Sequence, residues 1–206
     1  MNDDLQRVFR DIHDKNKWQS AETVSGLGSE LTQTATLLAE LQRLLARLAV
    51  QTLLDIPCGD HHWIRSLEVP RYIGADILPE LVARNLAEFG GDFRVLDITT
   101  DPLPRADLVL CRDLFGHLSD RHVLAALQNV ERSGSSWLAC TTFTSTTNQP
   151  RDTDAGWRPL NLLAAPYHLR PVWLFNEQCT EGDGRFDDKC VGVFDVSRLT
   201  CGRFAR

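Results

Sequence analysis

Apolar residues first recur at helical spacing near the start of the chain, where Leu5, Val8, Phe9 and Ile12 fall on one face of a short predicted helix. A polar stretch follows and ends in Ser25-Gly26-Leu27-Gly28-Ser29, so residues 1–30 read as a lead-in. From Leu31 the apolar positions Leu37, Leu38, Leu41, Leu44, Leu45 and Leu48 recur every three or four residues and predict a longer amphipathic helix. Such a face needs a partner, and the next segments supply a sheet. Apolar runs at 52–56, 72–75, 93–96, 107–111 and 137–143 predict five strands, the second ending on Asp76 and the third on Asp97. Between them lie a short helix at 63–67, a helix opened by Pro79 with Val82, Leu86 and Phe89 as its buried stripe and Gly90-Gly91 as its end, and a helix through Val123, Leu127 and Val130.

Strands alternating with helices imply a mostly parallel sheet covered on both faces. Two β-rich runs at 172–179 and 190–196, separated by the turn Glu181-Gly182-Asp183-Gly184, should pair antiparallel. The long segment 144–170, rich in Asn, Asp, Gly and Pro, reads as the cover of an active site.

With 206 residues, 43% of them hydrophobic, the chain suits one α/β domain, 1–206. Its formal charge of −6 makes nucleic acid an unlikely partner, because non-specific binding to phosphates needs clustered Lys and Arg. Apolar stretches are interrupted by charges, and the first residues lack the order of a signal peptide, so a cytoplasmic protein with no membrane association is expected. Cys58, Cys111, Cys140, Cys179, Cys190 and Cys201 are scattered and read as reduced thiols, Cys179 and Cys190 flanking the predicted hairpin without forming a disulfide. His61 and His62 lack partners at metal-ligand spacing and read as surface or helix-start residues; no metal is expected.

Candidate chemistry collects at one rim. Asp55, Asp76 and Asp97, each 21 residues from the last, lie on or at the ends of the first three strands. In an open α/β sheet, ligands bind outside the carboxyl ends of the strands where the strand order reverses.

The run Leu53-Leu54-Asp55-Ile56-Pro57-Cys58-Gly59-Asp60 resembles the first motif of the class I methyltransferases that use S-adenosylmethionine (SAM), and Ile73-Gly74-Ala75-Asp76 resembles their second. Asp97-Ile98 and Asp107-Leu108-Val109-Leu110-Cys111-Arg112-Asp113 are similar to the adenine-contacting pair and the fourth strand with its catalytic rim. A Cys-Arg-Asp-x-x-x-His-Leu-Ser segment and a Gly-Trp-Arg-Pro-Leu-Asn-Leu loop resemble a small bacterial group within that family, and the resemblance covers nearly the whole chain. One departure stands in the first motif: of its three glycines only Gly59 is kept, with Pro57 and His61 at the other two positions.

The resemblance implies a Rossmann-like sheet of seven strands, SAM as cofactor, and methyl transfer to an O or N atom of a small polar metabolite. It also implies roles for particular residues. Asp76 would accept from the ribose hydroxyls, Ile77 would pack on adenine, Asp97 and the Ile98 backbone would recognise the adenine edge, and Asp55, Gly59 and the Cys111 carbonyl would surround the methionine part. Trp18 and Ser29 of the lead-in would close the pocket, with core packing a competing role for Trp18. His117 and Asp113, just past the fourth strand, are candidate base or acceptor-orienting groups; packing or capping is the alternative for His117. Trp157, Arg158 and Asn161 are candidate acceptor contacts, although Arg158 and Asn161 equally suit a role in tying down their loop. Glu177, Glu181 and Asp183 add negative charge that favours a cationic acceptor unless they form a solvated turn. A SAM-binding sensor or partner subunit without catalysis is the alternative function; a nicotinamide enzyme would require a Gly-x-Gly-x-x-Gly turn that the sequence lacks.

Overall fold

The computed structural model describes residues 3–199, so Cys201 lies outside the described residues. Seven strands form one sheet in the order β3-β2-β1-β4-β5-β7-β6. These are β1 (Thr52–Asp55), β2 (Arg71–Asp76), β3 (Asp92–Val95), β4 (Leu108–Cys111), β5 (Trp137–Phe143), β6 (Trp173–Asn176) and β7 (Lys189–Asp195). The first five pair in parallel, with Leu54 between Ile73 of β2 and Val109 of β4. β7 runs antiparallel between β5 and β6. The expected fold is therefore observed: a seven-stranded, mostly parallel Rossmann-like sheet with a C-terminal antiparallel pair. The strand order reverses between β1 and β4, which opens the crevice where α/β sheets bind ligands.

Both faces of the central strands are apolar, which is why these strands read as continuous hydrophobic runs. Leu53, Leu108, Leu110 and Ala139 point to one face, where α2 (Leu31–Arg47) lays down Leu37, Leu41, Leu44 and Leu45. Leu54, Ile73, Val109 and Cys140 point to the other, against α1 (Asp3–Asp14) and the stripe Val123, Ala126, Leu127 and Val130 of α4 (Asp120–Arg132).

On α3 (Pro79–Phe89) the inner face differs from the expected stripe. Leu81, Val82 and Asn85 are buried, whereas Leu86 and Phe89 are exposed. A polar residue takes the inner position because the Asn85 amide donates to the Gly59 carbonyl at 2.8 Å, bonding a turn that no helix or strand covers. The exposed Phe89 is partly used by His61, which packs on Phe89, Phe93 and Tyr72. His61 is thus a packed ring with its pKa lowered to about 4 by burial and by Arg65, a correction to its reading as a surface residue.

The five cysteines among the described residues are free, Cys179 and Cys190 included.

Arg112, immediately after β4, joins three parts of the chain. Its guanidinium donates to Glu177 beyond β6 at 2.7 Å and to the Gly28 carbonyl at 2.8 Å, and lies over the Trp63 ring. Arg112 and Glu177 are both buried, so removing one strands the other charge. Arg112→Met is expected to lose about 3 kcal/mol of stability in urea unfolding, and Arg112→Met/Glu177→Gln to recover at least half of it.

Candidate functional site

The turns that leave β1, β2, β3 and β4 enclose a cavity of about 350 Å³, within the range of small-molecule sites. Asp55, Asp76 and Asp97 all reach its wall, as do Gly59, Ile77 and Ile98. Cys111 does not. Its side chain points into the core, and the wall begins one residue later at Arg112.

The three acids are held differently. Asp55 is buried and accepts a 2.6 Å hydrogen bond from the Tyr72 hydroxyl. Burial pushes its pKa up to about 7 against the pull of that bond, with the neighbouring charge of Asp76 adding to the rise. Asp76 accepts from the backbone N–H of Leu78 and of Gly59 at 3.0 and 3.2 Å, and burial still raises it to about 6. Asp97 accepts from the Thr99 amide and hydroxyl at 2.8 and 2.6 Å, which closes its loop into an Asx turn.

The turn after β1 needs its one remaining glycine. Gly59 has φ +54, and a Cβ there would meet the Ser25 hydroxyl at 2.2 Å. Ser25 is so close because the next residue, Asp60, grips the lead-in. The buried Asp60 carboxylate accepts from the Thr23 hydroxyl at 2.7 Å, the Val24 amide at 3.1 Å and the Ser25 hydroxyl at 3.1 Å. At the other end α1 is docked by Gln6, whose amide donates to the Ile77 carbonyl at 2.9 Å, and by Arg10 on Glu80 at 2.8 Å. The lead-in therefore roofs the cavity, with Phe9, Trp18 and Ser29 in its lining.

Beyond β4 lies the second half of the cavity. His117 is buried, its ring 5.4 Å from that of Trp18 and 6.3 Å from that of Phe9. Trp18 thus packs on His117 and lines the cavity. The Nδ1 atom of His117 has no hydrogen-bond partner among the described residues. Burial lowers its pKa to about 4, although Asp113 opposes the shift, so the imidazole is neutral at physiological pH. Burial alone raises Asp113, but Arg112 and Lys189 overcome it and hold that carboxyl below the usual range. Lys189 donates to Asp113 at 2.7 Å. A carboxylate so neutralised is a weak base, and of the two candidates His117 is the better suited to take a proton.

Of the three loop residues singled out in 144–170, Trp157 alone reaches the cavity. Arg158 bonds Asp120 at 2.6 Å and the Gln149 carbonyl at 2.7 Å. Asn161 donates to the carbonyls of Thr146 and Thr144 at 3.1 and 3.3 Å. Both hold the loop and lie outside the cavity lining, which corrects their reading as acceptor contacts. Trp157 is joined instead by Phe143 and Phe186, with ring centroids 4.8 to 6.1 Å apart and steep interplanar angles. Asp60, Tyr72, Lys189, Phe143 and Phe186 were not singled out from the sequence. Asp60 carried a usable signal, a carboxylate next to the turn glycine; the other four are recruited from other strands and turns by tertiary packing.

These features fit the cofactor that the sequence resemblance implies. A small cavity with three acids at successive strand ends, a turn that admits no side chain at Gly59 and an apolar lining suit a nucleoside attached to a cationic group. A family model described as a methyltransferase domain matches residues 30–179, more than half of the chain. Among curated proteins, no sequence matches. Solved structures match at low identity. The 1,6-didemethyltoxoflavin-N1-methyltransferase of Burkholderia thailandensis, solved with its acceptor and S-adenosylhomocysteine (SAH), is 15% identical over 92% of this chain and 85% of that one, TM-score 0.61. The magnesium protoporphyrin IX methyltransferase of Synechocystis PCC 6803 with bound SAM is 13% identical over 94% and 96%, TM-score 0.58. Other alignments span only 58%, 61% and 50% of the chains matched. Together with the strand order and the acid-lined crevice, the match over residues 30–179 assigns this chain to the methyltransferase-domain family, with the class I fold.

Proposed function

We propose that the chain, acting as one catalytic unit, methylates an O or N atom of a small polar metabolite in the cavity beneath the lead-in. The observation that carries this reading is the continuity of one cavity from Asp55, Asp76 and Asp97 to the neutral imidazole of His117. Asp76 and Asp97 hold the nucleoside, with Ile77 and Ile98 against its base, while Asp55 and Gly59 border the methionine part. SAM supplies a methyl group on a sulfonium leaving group, so the chain's task is alignment, exclusion of water and removal of one proton from the acceptor. His117 takes that proton. Asp113, locked to Lys189 and Arg112, orients the acceptor side of the cavity.

A small acceptor agrees with a cavity of about 350 Å³ and with the net charge of −6, which disfavours nucleic acid. The two solved proteins named above are methyltransferases named for 1,6-didemethyltoxoflavin and magnesium protoporphyrin IX, both small molecules. No helix among the described residues is long and apolar enough to cross a membrane.

Two expectations follow from the titrating groups. Asp55, raised to about 7, must ionise to hold a cationic ligand, so the Kd for SAM should rise about tenfold from pH 8 to pH 6. Because its folded pKa lies above the unfolded one, protonated Asp55 adds stability that is whole below about pH 4 and lost as pH rises through 7. Asp55→Asn should therefore raise the Tm of the ligand-free protein by about 3 °C or more at pH 8, change it little at pH 4, and flatten the pH dependence of SAM binding. Calorimetry and SAM titration on the same two proteins check both signs. His117→Ala should lower kcat at least about tenfold while the KM for SAM stays within about twofold, and wild-type kcat should hold down to about pH 5. An unchanged kcat at saturating acceptor removes His117 from the base role.

A further inference from the structure

Around the acceptor half of the cavity the three acids Asp113, Glu177 and Glu181 share the two cations Arg112 and Lys189, and most of that charge is already spent. Glu177 is buried behind the wall against Arg112, and Asp113 is paired with Lys189 at 2.7 Å. Asp183 is exposed and lies outside the cavity lining. Glu181 is left. Its side chain is 25% exposed at the cavity wall, and its nearest cation, Lys189, is 3.9 Å away and held closer by Asp113. The carboxylates of Glu181 and Asp113 converge on one point of the lead-in, since a Cβ on Gly28 would meet them at 3.0 and 3.3 Å.

Aromatic rings bridge Glu181 to the proposed base. Phe186 packs on Gly182, the neighbour of Glu181, and against Trp157 at 4.8 Å between centroids. The Trp157 indole nitrogen lies over Gly116, the neighbour of His117. A wall of Phe186 and Trp157, backed by Phe143, therefore runs from the carboxylate to the imidazole, and all five side chains line the same cavity. The rings touch one another edge to face, with the Arg185 guanidinium 5.8 Å from the Phe186 ring centroid, and together they give the cavity an apolar wall against which a ring of the acceptor can pack.

Resting on the function proposed above, we infer that the acceptor is a ring-bearing amine, its ring laid on Trp157 and Phe186 and its ammonium group drawn in by Glu181. The Glu181 carboxylate, only partly met by Lys189 at 3.9 Å and by the Cys179 thiol at 3.5 Å, attracts the protonated amine. His117, with an unpartnered Nδ1 and a neutral ring, then takes one proton from the ammonium. The freed nitrogen lone pair bonds to the methyl carbon as the carbon–sulfur bond breaks, its electron pair remaining on sulfur. The products are the N-methylated ammonium and SAH, and the proton on His117 passes to solvent.

Ligand-observed NMR on the whole chain tests this with two simple probes of like size and opposite charge, 2-phenylethylamine and 3-phenylpropionate, after saturation with SAH. The amine should bind the wild-type protein at least about tenfold more tightly than the acid. Glu181→Gln should bring the two within about threefold, Glu181→Lys should reverse the order, and Trp157→Leu should weaken both. Failure of SAH to bind the wild-type protein overturns the cofactor reading and this inference with it. SAH binding accompanied by equal affinity for amine and acid, or by a preference that survives Glu181→Gln, overturns the inference alone.

Discussion

The carboxylate of Asp60 fastens the lead-in to the turn after β1, and the character of the cavity depends on that contact. Three donors from consecutive residues Thr23, Val24 and Ser25 converge on one buried acid. Charge-assisted hydrogen bonds of this kind hold a segment that has no sheet or helix of its own to join. With the segment in place, Ser25 fills the space a side chain at position 59 would need, Trp18 covers His117, and the Gly28 carbonyl reaches Arg112. The raised pKa values of Asp55 and Asp76 and the lowered one of His117 all follow from the same exclusion of water.

The roof also divides the cavity electrically. On the side of β1, β2 and β3, Asp55 and Asp76 are buried against a hydroxyl and backbone amides, which suits a positively charged cofactor and costs stability in its absence. On the side of β4 and β7, cations and acids are paired, and the pairs brace the antiparallel strands against the end of the parallel ones. A cavity organised in this way is least stable when empty, so ligand binding and folding stability are coupled through the same carboxylates.

Much of this was legible in the sequence because it depends on local pattern. The five parallel strands, the long helix from Leu31 and the terminal hairpin follow from the spacing of apolar residues, and the three acids follow from where those strands end. What was not legible depends on partners far along the chain. Asn85 turned α3 inward through a carbonyl that no periodicity reveals. Arg158 and Asn161 have the chemistry of ligand contacts and spend it on their own loop. Phe186 lies in a polar turn and becomes part of the aromatic wall only because the hairpin folds back beside Trp157. The glycine-poor first motif was a weak signal from spacing alone; in three dimensions the single Gly59 occupies the one position where a Cβ has no room.

Isothermal titration of SAH into the wild-type protein and into Asp76→Ala tests the central claim most directly. One SAH should bind per chain with a Kd in the micromolar range, and loss of the Asp76 carboxylate should weaken it by about a hundredfold, as expected for a charged hydrogen-bonding partner removed from a buried site. No binding to the wild-type protein, or equal binding to both, would contradict the account.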